Sequence, residues 1–314
     1  MKKRTVIITG ANSGIGKAAS LKFAMEGHTV IMACRSLQHG SVIQDGIIAA
    51  SNNKNIFLEE LDASSSASIR AFCTRYRDRY GKLDILIHNA AYIDHGSPHR
   101  VNDDQIELTF ATNVLGPYLL TMKLKDLLAG SNDARVLNAG SNIIKHYFNP
   151  KLELELDNLI GAYTGDKPFS VYNSYRNSKM ALLMLTFRMA DEFKMDGIRV
   201  YNLQINGAKM SKETLRKFTL PWWMIAGVQN LFFRPTSFMA DSYYEICTSA
   251  AFSETSGKLI NHRLEIMVPS KENPGIADQV RQLTGAGIYP NYADRTDMQE
   301  KLWVLCRELT APKL

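Results

Sequence analysis

The chain has 314 residues, of which 45% are hydrophobic and 22% charged, values typical of a globular protein with a substantial core. The net charge of +6 comes from lysines and arginines spread along the chain, so no nucleic-acid partner is predicted. The most apolar stretch, residues 218–233, is broken by Pro221 and by polar positions, so no integral membrane segment is expected.

The four cysteines (Cys34, Cys73, Cys247 and Cys306) are far apart and form no CxxC pair. This pattern is typical of reduced thiols, and we expect a cytoplasmic location. No histidine and cysteine spacing suits zinc, so no metal site is predicted.

Along the chain, short β-rich runs alternate with segments of helical periodicity. Strands are predicted at 5–9, 28–34, 55–60, 82–88, 134–140, 197–205 and 257–260. Helices are predicted at 14–26, 37–51, 64–79, 103–129, 172–194, 235–250 and 296–309. This alternation predicts an α/β fold with a doubly wound parallel sheet of the Rossmann type. Without repeats or a linker, residues 1–314 are expected to form a single domain.

A glycine-rich loop follows the first predicted strand and opens the first predicted helix. It reads TGANSGIG, with Gly10, Gly14 and Gly16 around Ser13 and Ile15. Backbone N–H groups at a helix N-terminus bind pyrophosphate, and glycines remove the side chains that would block its approach. Because the loop has the required strand and helix on either side, these five residues are predicted to bind a dinucleotide. Residues 1–140 would form the dinucleotide-binding half.

The residue after the second predicted strand indicates which dinucleotide, NAD(H) or NADP(H), the loop is expected to bind. NAD sites usually hold the ribose 2′-hydroxyl with an acidic residue about 20 positions after the glycines. Residues 31–36 contain no acid, and Arg35 stands there instead. A guanidinium pairs with a 2′-phosphate, which favours NADP(H), while NAD(H) stays open. The alternative interpretation is a solvated loop arginine, and Lys17 is similarly either a phosphate contact or a solvated lysine.

Three tyrosines are followed by a lysine four residues later, at 147/151, 163/167 and 175/179. Such a pair shares one face only on a helix. The first pair contains Pro150, and the second contains Gly165 with Pro168 just after it. Only Tyr175 and Lys179 lie on an uninterrupted helical segment, so they are the predicted catalytic pair.

The chemistry of such a pair is proton transfer at a carbonyl or alcohol. A free phenol has a pKa of about 10, and a neighbouring ammonium stabilises its anion. Tyr175 would then act as the acid in carbonyl reduction and as the base in alcohol oxidation.

The glycine pattern, the pair Tyr175 and Lys179 and the strand order together resemble the short-chain dehydrogenase/reductase family along nearly the whole chain. Within it, the segments TGANSGIGKAA, ACRS, NVLGPYLLT, YRNSK and SGKLI are similar to the retinol dehydrogenases and to the dehydrogenase domain of the WW-domain-containing oxidoreductase. The resemblance implies an NAD(P)-dependent oxidoreductase and a homodimer or homotetramer.

The resemblance also implies roles for further residues. Asn113 of TNVLG matches an asparagine that maintains a proton relay through the lysine, and Ser141 matches the serine that binds the substrate oxygen. Further cofactor contacts are implied at Asp62, Asn89, Gly207 and Ser211. The simpler alternatives are a helix-surface amide for Asn113 and, for Ser141, a serine at a strand end that makes a local backbone hydrogen bond.

Several positions depart from the family pattern. Ala91 replaces a glycine, Gly140 stands where a serine is frequent, Asn206 replaces a proline and Ser211 replaces a threonine. None of these changes removes a catalytic group. They keep open a second hypothesis, a catalytically weak NADPH-binding regulator or sensor.

Residues 141–314 would form the catalytic and substrate half, with an apolar lid at 211–234. This segment follows the strand that should end beside the nicotinamide, and it is rich in aromatic residues. We expect it to cover an apolar aldehyde, ketone or alcohol of the retinoid, steroid or long-chain type. Packing into the core or a subunit interface, or peripheral contact with a membrane, are the alternatives.

Overall fold

The structure is a computed structural model that describes residues 2–93, 98–161, 168–209, 230, 233–272, 275, 278, 281–282 and 287–311. A parallel sheet of seven strands, in the order β3-β2-β1-β4-β5-β6-β7, forms its centre. The strands are β1 (Thr5–Thr9), β2 (Thr29–Cys34), β3 (Ile56–Glu60), β4 (Ile85–His88), β5 (Arg135–Ala139), β6 (Arg199–Leu203) and β7 (Lys258–Ile260). A separate pair, β8 (Val268–Pro269) and β9 (Ile288–Tyr289), is also parallel.

Helices cover both faces of the sheet. They are α1 (Gly14–Met25), α2 (Leu37–Ser51), α3 (Ser66–Tyr80), α4 (Gly116–Ala129), α5 (Leu156–Ile160), α6 (Val171–Glu192), α7 (Thr236–Thr248) and α8 (Thr296–Leu309). An α-helical turn, Leu108–Phe110, and a π-helical turn, Ala111–Leu115, lead directly into α4. Short 3₁₀ turns lie at Asn142–Phe148, Lys194–Asp196, Ala250–Phe252 and Asn291–Asp294.

Alternate residues of β1 enter two separate cores. Ile7 packs in the cluster that contains Phe72 and Phe110, beneath α3, α4 and α6, whereas Val6 and Ile8 pack on the other face with Phe23 and Tyr243. Successive side chains of a strand point to opposite faces, and here both faces are buried. This explains why β1, β2 and β4 each contain an uninterrupted run of hydrophobic residues.

The strand order reverses at β1, which lies between β2 and β4. In an open parallel sheet such a reversal leaves a crevice at the carboxyl ends of the strands. The glycine-rich loop after β1 and the segment after β4 therefore border the same crevice.

The predicted α/β fold class is confirmed, and α2 and α8 begin and end where predicted. The prediction of one helix over 103–129 was wrong at its start. Gln105 has a left-handed backbone, with φ of 63°, and the Glu107 carboxylate then caps a helix by accepting from the Thr109 and Phe110 N–H groups. The pair β8 and β9 was not predicted, because two residues are too short for a recognisable pattern.

Some predictions concern residues that the structure does not describe. Ser211, the pair Tyr163 and Lys167, and most of the predicted lid at 211–234 lie outside the described residues.

Candidate active site

The glycine loop after β1 takes a shape that side chains would prevent. Gly10 has a φ of 64°, and a Cβ on Gly16 would lie 2.4 Å from the Gly10 oxygen and 2.4 Å from Asn89 Nδ2. Gly14, with a φ of 53°, faces open space. Helix α1 begins at Gly14, and the Ser13 hydroxyl caps none of its N–H groups. The geometry therefore fits a pyrophosphate at this helix N-terminus.

Asn89 holds the glycine loop in place. Its Nδ2 donates to the backbone carbonyls of Thr9, at 2.9 Å, and Gly10, at 3.3 Å. Its Oδ1 accepts from the Tyr243 hydroxyl at 3.1 Å. The side chain also borders the cavity described below. The family resemblance implies a position for Asn89 at the cofactor cleft, whereas its contacts with the glycine loop are evident only from the structure.

Arg35 and Asp62 lie at the same edge of the sheet, because the last residues of β2 and β3, Cys34 and Glu60, are paired. The Arg35 side chain is exposed just beyond β2. Asp62 accepts from the N–H and the hydroxyl of Ser64, so its carboxylate also shapes the turn after β3.

A cavity of about 320 Å³ opens at the carboxyl ends of β1, β4, β5 and β6. It brings together three of the four predicted catalytic residues with the glycine loop. Its lining consists of Ile15, Asn89, Ala91, Ala139, Gly140, Ser141, Asn142, Tyr175, Lys179, Ile205, Asn206, Gly207 and Phe233. The sequence patterns did not indicate Ala139, Asn142 or Ile205 as site residues. Their positions just before and after strand ends are the signal that would have identified them.

Tyr175 and Lys179 lie one turn apart on α6. Ser170 caps the start of this helix, where its hydroxyl accepts from the Asn173 N–H. Lys179 Nζ is 5.5 Å from the centre of the Tyr175 ring and donates to the Ala139 oxygen at 2.8 Å. Burial lowers the pKa of Lys179 to about 8. The ammonium is therefore still mostly charged at neutral pH, close to the phenol.

Ser141 interacts directly with Tyr175. Burial raises the pKa of the Tyr175 phenol, and the hydrogen bond with the Ser141 side chain acts in the opposite direction. Ser141 also begins the Asn142–Phe148 turn, where its hydroxyl accepts from the Ile143 N–H at 3.3 Å.

Asn113 lies outside the cavity lining, in the π-helical turn, and is 1% exposed. Its Oδ1 accepts from the Tyr92 N–H at 2.7 Å, and its Nδ2 donates to the Tyr92 oxygen at 3.1 Å and to Ser178 Oγ at 3.0 Å. The Ser178 hydroxyl in turn donates to the Tyr175 backbone carbonyl at 2.8 Å. The Asn113 side chain thus joins the segment after β4 to the helix that carries Tyr175.

Three residues of the cavity lining have close neighbours, and two of them, Gly140 and Asn206, depart from the family pattern. A Cβ on Gly140 would lie 1.9 Å from Asn202 Oδ1, so this backbone position has no room for a side chain. Asn206 contacts His262, with 2.9 Å between Nδ2 and Nδ1. Gly207 has a φ of 121°, and a Cβ there would lie 2.4 Å from the Phe233 ring.

A larger cavity, of about 520 Å³, lies at the opposite edge of the sheet, where Arg199 and Lys258 begin β6 and β7. It contains none of the predicted site residues. Within the described residues, no cluster of histidine, cysteine or acidic side chains is arranged to hold a metal ion. The described helices include none with the length and hydrophobicity needed to cross a membrane.

Residues 4–149 match the sequence model of a family described as short chain dehydrogenase. Mouse retinol dehydrogenase 12 is 31% identical over 268 residues, covering 85% of this chain and 80% of the relative. Mouse retinol dehydrogenase 13 is 29% identical over 249 residues, covering 76% of this chain and 71% of the relative.

Solved structures share the fold. Levodione reductase superposes with a TM-score of 0.64 at 17% identity, covering 82% of this chain and 95% of its own. An uncharacterized protein from Mycobacterium Paratuberculosis gives a TM-score of 0.68 at 21% identity, covering 99% and 94%. At these identities the likeness concerns the fold alone.

Proposed function

Since the chain belongs to the short-chain dehydrogenase/reductase family of NAD(P)-dependent oxidoreductases that act on CH–OH groups, we propose that it interconverts an apolar carbonyl compound and its alcohol, with NADP(H) as preferred cofactor. The observation that carries this proposal is the convergence of Ser141, Tyr175 and Lys179 on the cavity beside the glycine loop.

The three side chains divide the work of proton transfer. The Ser141 hydroxyl holds the substrate oxygen against the Tyr175 hydroxyl, which donates its proton during reduction and accepts one during oxidation. The nearby Lys179 ammonium stabilises the tyrosinate that reduction leaves behind. A bound nicotinamide would supply the hydride for reduction and accept it in oxidation. Asn113 keeps α6 in register with the segment after β4 through Ser178.

The NADP(H) preference rests on Arg35. Its exposed guanidinium stands beyond β2, where an acidic residue would select NAD(H), and it is free to meet a 2′-phosphate. Gly10, Ser13, Gly14, Ile15 and Gly16 would hold the pyrophosphate, and Asp62 would lie near the adenine. Gly207 and Ser211 would lie near the nicotinamide carboxamide.

The proposed substrate is an apolar aldehyde, ketone or alcohol of the retinoid, steroid or long-chain type. Phe233 at the cavity and the retinol dehydrogenases among the relatives support this class. The aromatic segment 211–234 would form the lid, a homodimer or homotetramer is the proposed assembly, and the cytoplasm is the proposed location. The four cysteines are free and buried, in agreement with reduced thiols.

The test is NADPH oxidation with all-trans-retinal, decanal and a steroid ketone, with NADH and a Tyr175→Phe variant in parallel. We expect turnover with NADPH that falls at least a hundredfold in the variant. Turnover unaffected by the variant would refute the role of Tyr175. Tight NADPH binding without turnover of any substrate would favour the sensor hypothesis, which the replacements at Ala91, Gly140 and Asn206 keep in view.

A further inference from the structure

Tyr147, the first of the three tyrosines with a lysine four residues later, is buried beside α6. It is 3% exposed, and its hydroxyl donates to Asn177 Oδ1 at 2.8 Å. The two residues are 30 positions apart. Because Pro150 separates Tyr147 from Lys151, the pair cannot act as catalytic machinery. The hydroxyl is nevertheless held by a specific partner.

The hydrogen bond joins the two segments that carry the proposed catalytic hydroxyls. Tyr147 lies in the Asn142–Phe148 turn, which begins directly after Ser141. Asn177 lies on α6, two residues after Tyr175 and two before Lys179. A displacement of the turn relative to α6 would move Ser141 away from Tyr175. The hydrogen bond between Tyr147 and Asn177 opposes such a displacement.

The C-terminal part of the chain supports the same turn from outside. The Tyr292 ring lies 5.1 Å from the Tyr147 ring at 30°, and the Tyr292 hydroxyl accepts from the Leu154 N–H at 2.8 Å. The same hydroxyl donates to Glu153, and Glu153 also forms an ion pair with Arg295. Tyr147 is thus packed on one side and hydrogen-bonded on the other.

We propose that Tyr147 is a positioning residue, whose hydrogen bond to Asn177 fixes the distance between the Ser141 and Tyr175 hydroxyls. The inference rests on the proposed function, in which these two hydroxyls share the substrate oxygen. Small displacements of reacting groups are costly, about a hundredfold in rate for 1 Å. The hydroxyl forms one neutral hydrogen bond to α6, and the Arg176 guanidinium of α6 also lies 5.8 Å from the centre of the Tyr147 ring. Since loss of the hydroxyl leaves that second contact in place, we expect kcat to fall by about tenfold rather than more.

The first test is Tyr147→Phe, which keeps the ring against Tyr292 and removes only the hydroxyl. We expect kcat to fall by about tenfold with KM changed less than about twofold, since the substrate pocket is retained. Adding Tyr147→Phe to Ser141→Ala should lower kcat no further, because Tyr147 acts through the contact between Ser141 and Tyr175, which Ser141→Ala already removes. Asn177→Asp keeps an acceptor for the hydroxyl and should retain more activity than Asn177→Leu.

A second readout does not depend on turnover. The Ser141 hydrogen bond lowers the pKa of Tyr175, so Tyr147→Phe and Ser141→Ala should both raise it. The titration is followed by tyrosinate absorbance, as the difference between each variant and its Tyr175→Phe counterpart. Lys179 on α6 and Tyr243 on α7 are titratable groups that interact with Tyr175, and every variant retains both.

Tyr76→Phe is the matched control. Tyr76 is a buried tyrosine on α3, away from the cavity, and its hydroxyl donates to the Lys82 backbone carbonyl at 2.6 Å. The variant therefore also removes the hydrogen-bonded hydroxyl of a buried tyrosine. It should cost similar stability and leave kcat and the Tyr175 titration unchanged. The proposal is overturned if Tyr147→Phe leaves the Tyr175 pKa at its original value. It is equally overturned if Tyr147→Phe lowers kcat no more than Tyr76→Phe does. Failure of the proposed function would appear separately, as full activity in Tyr175→Phe.

Discussion

Asn202 occupies the space that a side chain on Gly140 would need. Its carboxamide oxygen lies 1.9 Å from the position that a Cβ on Gly140 would take, and its Nδ2 donates to the Thr186 hydroxyl at 3.1 Å, which holds the carboxamide there. The frequent serine of the family is therefore incompatible with this arrangement, and the glycine next to Ser141 follows from its neighbour on β6.

We predict that Gly140→Ala destabilises the protein by about 1–3 kcal/mol, the usual cost of overpacking. Asn202→Ala should also destabilise it, because the Thr186 contact is lost. The double variant should be more stable than the sum of the two changes implies, since the clash with Asn202 disappears and only the Leu203 backbone oxygen, at 2.9 Å, stays close to the added carbon. Urea unfolding of the four proteins measures this coupling, and additive effects would show that Asn202 is not the obstacle.

Gly16→Ala should abolish dinucleotide binding. Its Cβ would meet the Gly10 oxygen and Asn89 Nδ2, both at 2.4 Å, so the loop must open where the pyrophosphate approaches. The control is Gly46→Ala on α2, where no atom lies within 4 Å of the added carbon. That variant should bind NADPH normally and gain about 0.5–1 kcal/mol of stability. Fluorescence titration with NADPH distinguishes the two, and equal affinities would contradict the loop assignment.

Arg35→Gln should weaken NADPH binding by about tenfold and leave NADH binding nearly unchanged. The expected loss is that of one charge-assisted contact to the 2′-phosphate, about 1.5 kcal/mol. Arg307→Gln, at the exposed end of α8, serves as the control for net charge. An equal loss of affinity for NADPH and NADH in Arg35→Gln would indicate a general electrostatic effect. It would contradict a contact between Arg35 and the 2′-phosphate.

The buried Lys179 ammonium should lower the stability of the folded protein. Burial lowers its pKa from 10.5 to about 8, so below pH 8 the folded protein carries a buried ammonium. As the pH rises from 8 towards 10.5, the folded state releases this proton before the unfolded state does, and stability increases. Lys179→Met should therefore be inactive yet up to about 3 kcal/mol more stable at pH 7. The difference should shrink between pH 8 and 10.5, and a constant difference in urea unfolding would argue against this account.

His88 should make the protein sensitive to acid. It is fully buried at the end of β4, with Nε2 2.7 Å from the Thr121 hydroxyl, and burial lowers its pKa to about 3. Below pH 6.5 the unfolded chain binds a proton that the folded protein excludes, so stability falls by about 1.4 kcal/mol per pH unit until pH 3. His88→Gln should reduce by one the number of protons that the chain takes up on unfolding in this pH range, so its stability should fall less steeply with pH. An unchanged slope in unfolding measured from pH 6.5 to 4 would contradict the assignment.

The sequence was informative wherever one segment determines its own structure. The runs TVIIT and TVIMAC are hydrophobic apart from their threonines because both faces of β1 and β2 are buried. The glycine loop and the uninterrupted helix carrying Tyr175 and Lys179 are local patterns as well.

Contacts between distant segments could not be predicted in the same way. Nothing in the sequence indicates that Asn202 fills the space above Gly140, or that Tyr147 meets Asn177 across 30 residues. The left-handed backbone at Gln105 and the π-helical turn that carries Asn113 likewise depend on packing around them. These are the features that determine how the predicted catalytic residues are held.

The most direct test of the central claim is transfer of deuterium from NADPH labelled at both C4 positions to an apolar aldehyde. Mass spectrometry of the product alcohol detects the label, with wild-type protein and Tyr175→Phe compared at equal cofactor saturation. We predict one deuterium per alcohol with the wild type and at least a hundredfold slower formation with the variant. Labelled alcohol formed at the same rate by Tyr175→Phe would contradict the assignment of Tyr175 as the proton donor.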